Sequence, residues 1–425
     1  MKHIGFTISD GWAFRFLFAT GLYKEIVKEN KVTLICSSYY HDLITKNLLG
    51  LDSGVDVVKL EFINQNKVFA LIRINNFIFR DTHGFKLRKW HILKHKWVSR
   101  QFLLVVNFIL QKFVNIDFLS TFLHRIKLQK PFVIKEKIDE LFFLSPYLKE
   151  EVALSLCYSD DDTKLCFVLP SWDNIYKYYT FKHFDSYIVW GESQQLFLKN
   201  VLKISSPIFL KGPISQYVFN RHKAYDGYSS SSVSVRLLYC TITSRNFPNE
   251  VSFVRNLINK INSNDYGNDC HLTIRLHPAD KDLDIYEKLV SKKVGLSHIK
   301  GVSSLTNWDV SDSFFPELIN DFVNSDIIIC VASTITLDAI MLGRPVINFK
   351  PQILKGKVDY YDFEHYRSIS NSKELDIVEN MNDLDSAIFR ILKGDHKDYR
   401  KAISKEVQLH NSTNVLDNIN IAAIH

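Results

Sequence analysis

Three short stretches of this sequence put polar side chains where an anion could be held. RLHPAD, Arg275 to Asp280, ends the apolar run HLTI in an arginine, an imidazole, a rigid proline and an acid. His277 could donate to a phosphate oxygen or protonate a leaving group, and Pro278 fixes the backbone while steering His277 extended. TITSRN, 241–246, follows another apolar run, and its Arg245 could clamp a phosphate through two parallel hydrogen bonds. ASTIT, 332–336, opens a helical pattern, so Ser333, Thr334 and Thr336 fall where free N–H groups and the positive end of the helix dipole attract an anion. Each stretch also has a plain reading: a structural histidine, a solvated arginine, a helix N-cap. What favours binding is that all three follow strands of one sheet.

Those strands are legible as short apolar runs alternating with helical patterns. In the second half they are SVSVRLLYCT, HLTIRL, DIIICV and PVINF; VSFVRNLINKI, LDIYEKLVSK, FPELINDFVNS and STITLDAIMLG have helical spacing. Apolar runs of 4–8 residues between 10–15-residue helical patterns predict a parallel sheet with helices on both faces. Gly343 sits where a helix C-cap glycine belongs. Ligands of such sheets bind at the carboxyl ends of the strands, where all three polar stretches lie. The first half repeats the style with HIGFTIS, VTLICSS, DELFFLS, KLCFVLP, DSYIVWG and SPIFLKG. The expectation is an α/β protein of two Rossmann-like domains, 1–220 and 232–400, separated by the polar segment around Arg221 to Ser232, with 401–425 packing back on the first domain.

Composition bounds the function. A chain of 425 residues, 46% hydrophobic and 23% charged, is globular and long enough for about two domains. The six cysteines show no metal-binding spacing and read as buried thiols. MKHIGFTIS reads as a first strand and not as a signal peptide. The net charge of +7 is uneven: residues 1–150 carry 23 Lys and Arg against 13 Asp and Glu. The excess centres on KLRKWHILKHKWVSR, Lys86 to Arg100, followed by QFLLVVNFILQKFVNI. That apolar run is too short to span a bilayer. Basic residues interleaved with Trp90 and Trp97 suit a helix lying on an anionic membrane face, over about 86–116. No recognition motif for nucleic acid accompanies the charge. Asp160, Asp161 and Asp162 contain a DxD, but precede a strand instead of following one, and read as a solvated turn.

RLHP, followed about 55 residues later by a strand and then STITLDAIMLGRPVI (333–347), resembles the donor-binding half of bacterial GT-B-fold transferases that build surface polysaccharides and teichoic acids. The resemblance extends to VLPSWDN (168–174), YIVWGESQ (187–194) and FLKGPISQYVF (209–219), and so covers most of residues 165–350. It implies a GT-B architecture and puts His277, Ser333 and Thr334 on the donor's phosphates, with Arg275 and Thr336 on the same side. Asp338 falls where such enzymes often have a glutamate for the ribose hydroxyls, and Ser244 and Arg245 would line the diphosphate from the opposite loop. An inverting transfer needs a base from the other domain within about 3 Å of the acceptor hydroxyl. Asp10 and Asp173 are the candidates, Glu192 the third, with Trp172 and Asn174 shaping the acceptor side.

The expected activity is sugar transfer from a nucleotide-activated donor to a polyprenyl-linked or polysaccharide acceptor at the inner face of the cytoplasmic membrane. No metal or other cofactor is expected, since basic residues and helix dipoles can neutralise a diphosphate. One alternative keeps the fold and moves glycerol- or ribitol-phosphate from a CDP donor, or sialic acid or Kdo from CMP. Others are a nucleotide-sugar epimerase, which needs no acceptor, and a membrane-docked scaffold.

Overall fold

The computed structural model describes residues 1–47, 55–61, 69–72, 109, 131, 136–158, 162–222, 234–242, 247–267, 269–278, 280, 282–298, 314–351 and 359–420. The basic Trp-bearing segment, Asp160, Asp161, Ser244 and Arg245 lie outside the described residues. The chain divides into two compact units: Met1–Ile214 with Phe363–His365 and Asn414–His425, and Ser215–Asp362 with Tyr366–Thr413.

Among the described residues, the first unit is built on seven parallel strands. They are β1 (His3–Ile8), β2 (Lys31–Cys36), β3 (Val55–Lys59), β4 (Glu140–Phe143), β5 (Lys164–Val168), β6 (Ser186–Val189) and β7 (Ile208–Leu210), in the order β3-β2-β1-β4-β5-β6-β7. Central strand β1 is buried along its whole length, as burial on both faces requires. Gly5 within it faces Leu141, whose Cδ1 lies 2.7 Å from where a Cβ would stand, so a larger residue fits only if the Leu141 side chain shifts.

Among its described residues, the second unit has six parallel strands: β8 (Val235–Cys240), β9 (Cys270–Arg275), β10 (Val294–Ser297), β11 (Ile327–Cys330), β12 (Val346–Phe349) and β13 (Asp376–Val378), in the order β10-β9-β8-β11-β12-β13. One face is apolar. Leu237, Tyr239, Leu272, Ile274, Ile329 and Ile347 pack there against helices Glu250–Asn262 and Met381–Leu392. The alternate residues carry a polar row across the carboxyl ends of five strands, because Ser297, Arg275, Cys240, Cys330 and Asn348 are register partners in turn. Helix Thr334–Met341 ends as the sequence predicts: Gly343 is left-handed at φ 74°, with Gly343 N donating to Ile340 O and Arg344 N to Ala339 O.

Two boundaries differ from the sequence reading. The first unit ends at Ile214, ahead of the polar segment. Helix Ile214–Asn220 is tied to the second unit's C-terminal stretch: Gln216 Nε2 donates to His410 O, Asn220 Nδ2 to His410 O and Ser412 O, and Arg221 Nε to Thr413 O. Residues 401–413 therefore stay with the second unit, where Ala402, Ile403 and Val407 are buried. The stretch from Asn414 belongs to the first unit: helix Leu416–Ile419 packs against helix Leu22–Ile26, and Lys211 Nζ donates to Asn420 O. Asp162, of the acidic run, is exposed and pairs with Lys137 at 3.3 Å.

Candidate functional site

In the second unit, the loops after β8 and β9 are joined directly. Thr241 Oγ1 accepts from His277 N at 2.8 Å, and Thr241 N donates to Arg275 O. Asp280 N turns back to His277 O at 2.8 Å, so the proline turn holds His277 at the strand mouth. His277 is half-buried, and burial lowers its pKa below the usual 6.5. A ring kept neutral at pH 7 serves as a hydrogen-bond donor, and becomes an acid only as the pH falls.

The loop after β11 supplies the helix end. Ser333 is the N-cap of Thr334–Met341 and accepts from Ile335 N at 3.3 Å. Ala332 N donates to the Tyr361 hydroxyl, which donates in turn to Phe349 O, fixing the loop from below. Thr334 is exposed, and Asp338 is half-buried one turn on.

Two residues expected to bind a donor are engaged within the fold. Arg275 is 6% exposed and is held by Asp321, with Ser297 also in reach at 3.3 Å. Ser297 Oγ donates to the same Asp321 oxygen at 2.6 Å. Thr336 is fully buried; its hydroxyl donates to Asn348 Oδ1 at 2.9 Å and meets the Tyr366 hydroxyl at 2.8 Å. Tyr366 also bonds Asn348 Oδ1, at 2.6 Å.

Sequence reasoning missed Glu250, the first residue of its helix. Its Oε1 accepts from Tyr239 Oη at 2.8 Å and from Ile242 N at 2.9 Å, bracing the start of the TITSRN loop. Burial pushes its pKa up to about 8, helped by Asp280 and Asp282 and opposed by the Ile242 and Tyr239 donors. Nothing in its sequence context marks it, because an acid in a first helical turn is commonplace.

In the first unit, Asp10 caps helix Gly11–Leu17 by accepting from Ala13 N at 2.9 Å. Burial raises its pKa above the ordinary carboxylate value, against the Ala13 N–H, the Ser145 hydroxyl and Arg15. Asp173 is ion-paired with Lys177. Burial acts to raise its pKa, but Lys177 and His365 outweigh it and hold the carboxylate at about 2. His365 is itself pushed down to about 4, first by burial and then by Lys177. Trp172 is buried edge-on to His365, with ring centroids 4.9 Å apart. Asn174 is half-buried at the start of helix Asn174–Lys177, and Glu192 is exposed at the start of Glu192–Leu196. Sequence reasoning also missed Glu151, fully buried, whose Oε2 accepts from Ser145 N at 2.9 Å.

Among the described residues, no three His, Cys, Asp or Glu side chains gather as a metal site would need. Nor is any described helix long and apolar enough to cross a membrane.

No protein-family model and no curated protein matches the sequence. Solved structures do match in fold. A proposed UDP-N-acetylglucosamine 2-epimerase from Listeria monocytogenes aligns over 99% of this chain and 94% of its own, at 10% identity and a TM-score of 0.51. The S. aureus MnaA–UDP co-structure aligns over 99% and 95%, at 12% identity and 0.51. MurG from Acinetobacter baumannii aligns over 99% and 98%, at 8% identity and 0.47. At such identities the likeness establishes the fold alone: two Rossmann-like units with seven- and six-stranded parallel sheets, the GT-B class.

Proposed function

We propose that this chain acts on a nucleotide sugar, with the nucleotide's phosphates bound by the loops after β8, β9 and β11 of the second unit. The observation that carries this reading is the hydrogen bond from His277 N to Thr241 Oγ1, which fixes the TITSRN and RLHP loops to each other at one sheet edge. The Ser333-capped end of helix Thr334–Met341 follows β11, the strand that pairs with β8. His277, Ser333 and Thr334 would meet the phosphates, Asp338 the ribose, and Ser244 and Arg245 the diphosphate from their loop. Arg275 and Thr336 support these loops and do not touch the ligand.

The reaction we assign is transfer of the sugar, with inversion and without a metal, to a lipid-linked or polysaccharide acceptor on the first unit. Asp10 is assigned as the base. Its raised proton affinity suits the task, whereas Asp173 is neutralised by Lys177 and binds protons only near pH 2. The test is the thermal stability of wild type and His277→Ala with UDP, GDP, CDP, CMP and dTDP in turn. A site filled to about 100 times its dissociation constant stabilises by roughly 2.7 kcal/mol, a shift of several degrees. One nucleotide should shift the wild type and fail to shift the variant; CMP as that nucleotide would favour sialic acid or Kdo transfer. No shift from any of them sinks the reading.

A second reading is epimerisation of a UDP-sugar, favoured by the fold match to a proposed epimerase and to a UDP co-structure at TM-scores of 0.51. Conversion of UDP-N-acetylglucosamine to an epimer in the absence of acceptor would establish it; an unchanged sugar nucleotide would leave transfer.

A further inference from the structure

Between Tyr360 and Ser370 the chain changes unit twice. The 3-10 turn Tyr360–Asp362 belongs to the second unit, Phe363–His365 to the first, and helix Glu364–Ser370 to the second again from Tyr366 on. Its two buried tyrosines hold the loop after β11. Tyr361 Oη accepts from Ala332 N at 3.1 Å and donates to Phe349 O at 2.9 Å. Tyr366 Oη donates to Asn348 Oδ1 at 2.6 Å and meets Thr336 Oγ1 at 2.8 Å. Burial raises the pKa of both hydroxyls, opposed by the Ala332 N–H at Tyr361 and by the Thr336 hydroxyl and the Ser333 N–H at Tyr366. Two neutral hydroxyls thus act on the backbone N–H groups of consecutive residues, Ala332 and Ser333. The tyrosine rings lie edge to face with centroids 5.2 Å apart, and Ser370 Oγ donates to Tyr361 O at 2.9 Å, so turn and helix form one body.

Consecutive residues of a helix point about 100° apart, and His365, next to Tyr366, is buried in different company. It lies edge-on to Trp172 of the first unit, centroids 4.9 Å apart, and is stacked on Phe363. We propose that Tyr361 and Tyr366 are positioning residues for the phosphate-holding loop 332–334, and that Trp172, acting through His365, is a positioning residue for both. This link rests on the nucleotide-sugar reading above and adds to it a dependence of the nucleotide loop on the SWDN stretch. Close-packed groups move as bodies and do not deform smoothly, so a displacement of His365 is carried to the tyrosines on either side of it. Ala332 and Ser333 are half-buried and Thr334 is exposed, so the loop they hold is the part open to a ligand. A loop fixed beforehand at two consecutive N–H groups has little ordering left to do when a phosphate arrives. By reciprocity, whatever loosens Trp172 weakens the nucleotide, and bound nucleotide tightens Trp172.

Backbone deuterium exchange, read on the peptide that carries Ala332 and Ser333, tests the link without any nucleotide. Tyr361→Phe removes the acceptor of Ala332 N and keeps the ring; it should speed exchange there several-fold, with β8 and β9 exchanging as in the wild type. Trp172→Phe should speed exchange at the same peptide. In Tyr361→Phe, Tyr366→Phe the added Trp172→Phe should change nothing further there, since its effect passes through the tyrosines. His365→Gln is the milder change at the same junction, should Trp172→Phe fail to fold. A second readout is affinity for whichever of UDP, GDP, CDP, CMP and dTDP stabilises the wild type: Tyr361→Phe and Trp172→Phe should each weaken it several-fold. A purely structural role for Trp172 would speed exchange around residues 168–177 and leave the Ala332 peptide as it was. That result in folded Trp172→Phe and His365→Gln, or effects of Trp172→Phe that persist in full without the two hydroxyls, would overturn the link. Binding of none of the five nucleotides, with the exchange coupling present, would instead sink the nucleotide-sugar reading.

Discussion

Ser333 and Thr336 look alike in the sequence, both hydroxyls in one ASTIT stretch, yet they have different tasks. Thr336 is fully buried and its hydroxyl serves the network of Asn348 and Tyr366, while Ser333 is half-buried at the helix end. Thr336→Val removes a buried hydrogen-bonding group with little change of shape, and should cost about 1–3 kcal/mol of stability with nucleotide affinity intact. Ser333→Ala should cost only about 1 kcal/mol through the lost cap, but should weaken nucleotide binding as well. Denaturant unfolding and calorimetric titration of both variants measure the two effects separately; equal loss of nucleotide affinity would undo the division. The same distinction explains what was legible about RLHP. The residue types announced a site, and His277 stands at its mouth. That Arg275 turns inward to Asp321 depends on a partner 46 residues away, which no local pattern records.

Both units use one device at the strand-to-helix connection. Glu151 lies in the first turn of helix Lys149–Tyr158 and accepts from Ser145 N; Glu250 starts helix Glu250–Asn262 and accepts from Ile242 N. Each carboxyl reaches back to brace the loop leaving its strand, and burial raises each pKa from 4.5 to about 8. Folding therefore takes up two protons between those limits. The stability these acids confer is fully present below about 4.5 and is lost as the pH rises through about 8. The melting temperature should accordingly fall between about pH 4.5 and 8, and the double variant Glu151→Gln, Glu250→Gln should flatten that fall, by calorimetry across the range. A wild-type profile as flat as the variant's would show that these acids ionise freely in the folded chain. Periodicity cannot reveal such a brace, because it turns on burial of the carboxyl. Nor does it reveal three of the four edge strands: β3, β10 and β13 run VDVVK, VGLS and DIV, too short or too polar to carry the apolar signature that gave away the central strands.

For the molecule as a whole, the alternation of apolar runs with helical patterns was enough to read two parallel α/β units, since strands buried on both faces must be apolar throughout. The boundaries were less legible, because helix Ile214–Asn220 takes its partners from residues 410–413, some 190 positions on. Charge adds a property that neither sheet explains. Residues 1–150 carry 23 basic against 13 acidic residues, and the remainder of the chain carries 30 against 33. A fold does not require such a division, but an anionic surface on one side of the protein would. The six Lys and Arg between Lys86 and Arg100, with Trp90 and Trp97 among them, match the pairing of charge and interfacial ring that holds a protein on a membrane. Near an anionic leaflet each basic residue contributes about 1 kcal/mol, within a Debye length of about 10 Å at 0.1 M salt. The protein should therefore sediment with phosphatidylglycerol vesicles at low salt, and release as salt is raised. Replacing Lys94 and Lys96 by Glu should abolish sedimentation, and replacing Trp90 and Trp97 by Ala should weaken it at every salt concentration. Neutral phosphatidylcholine vesicles should leave the protein in the supernatant throughout. Sedimentation that persists in the charge-reversed variant would mean that another surface meets the membrane, and absence from anionic vesicles at low salt would mean that the acceptor, if lipid-borne, is met without this segment.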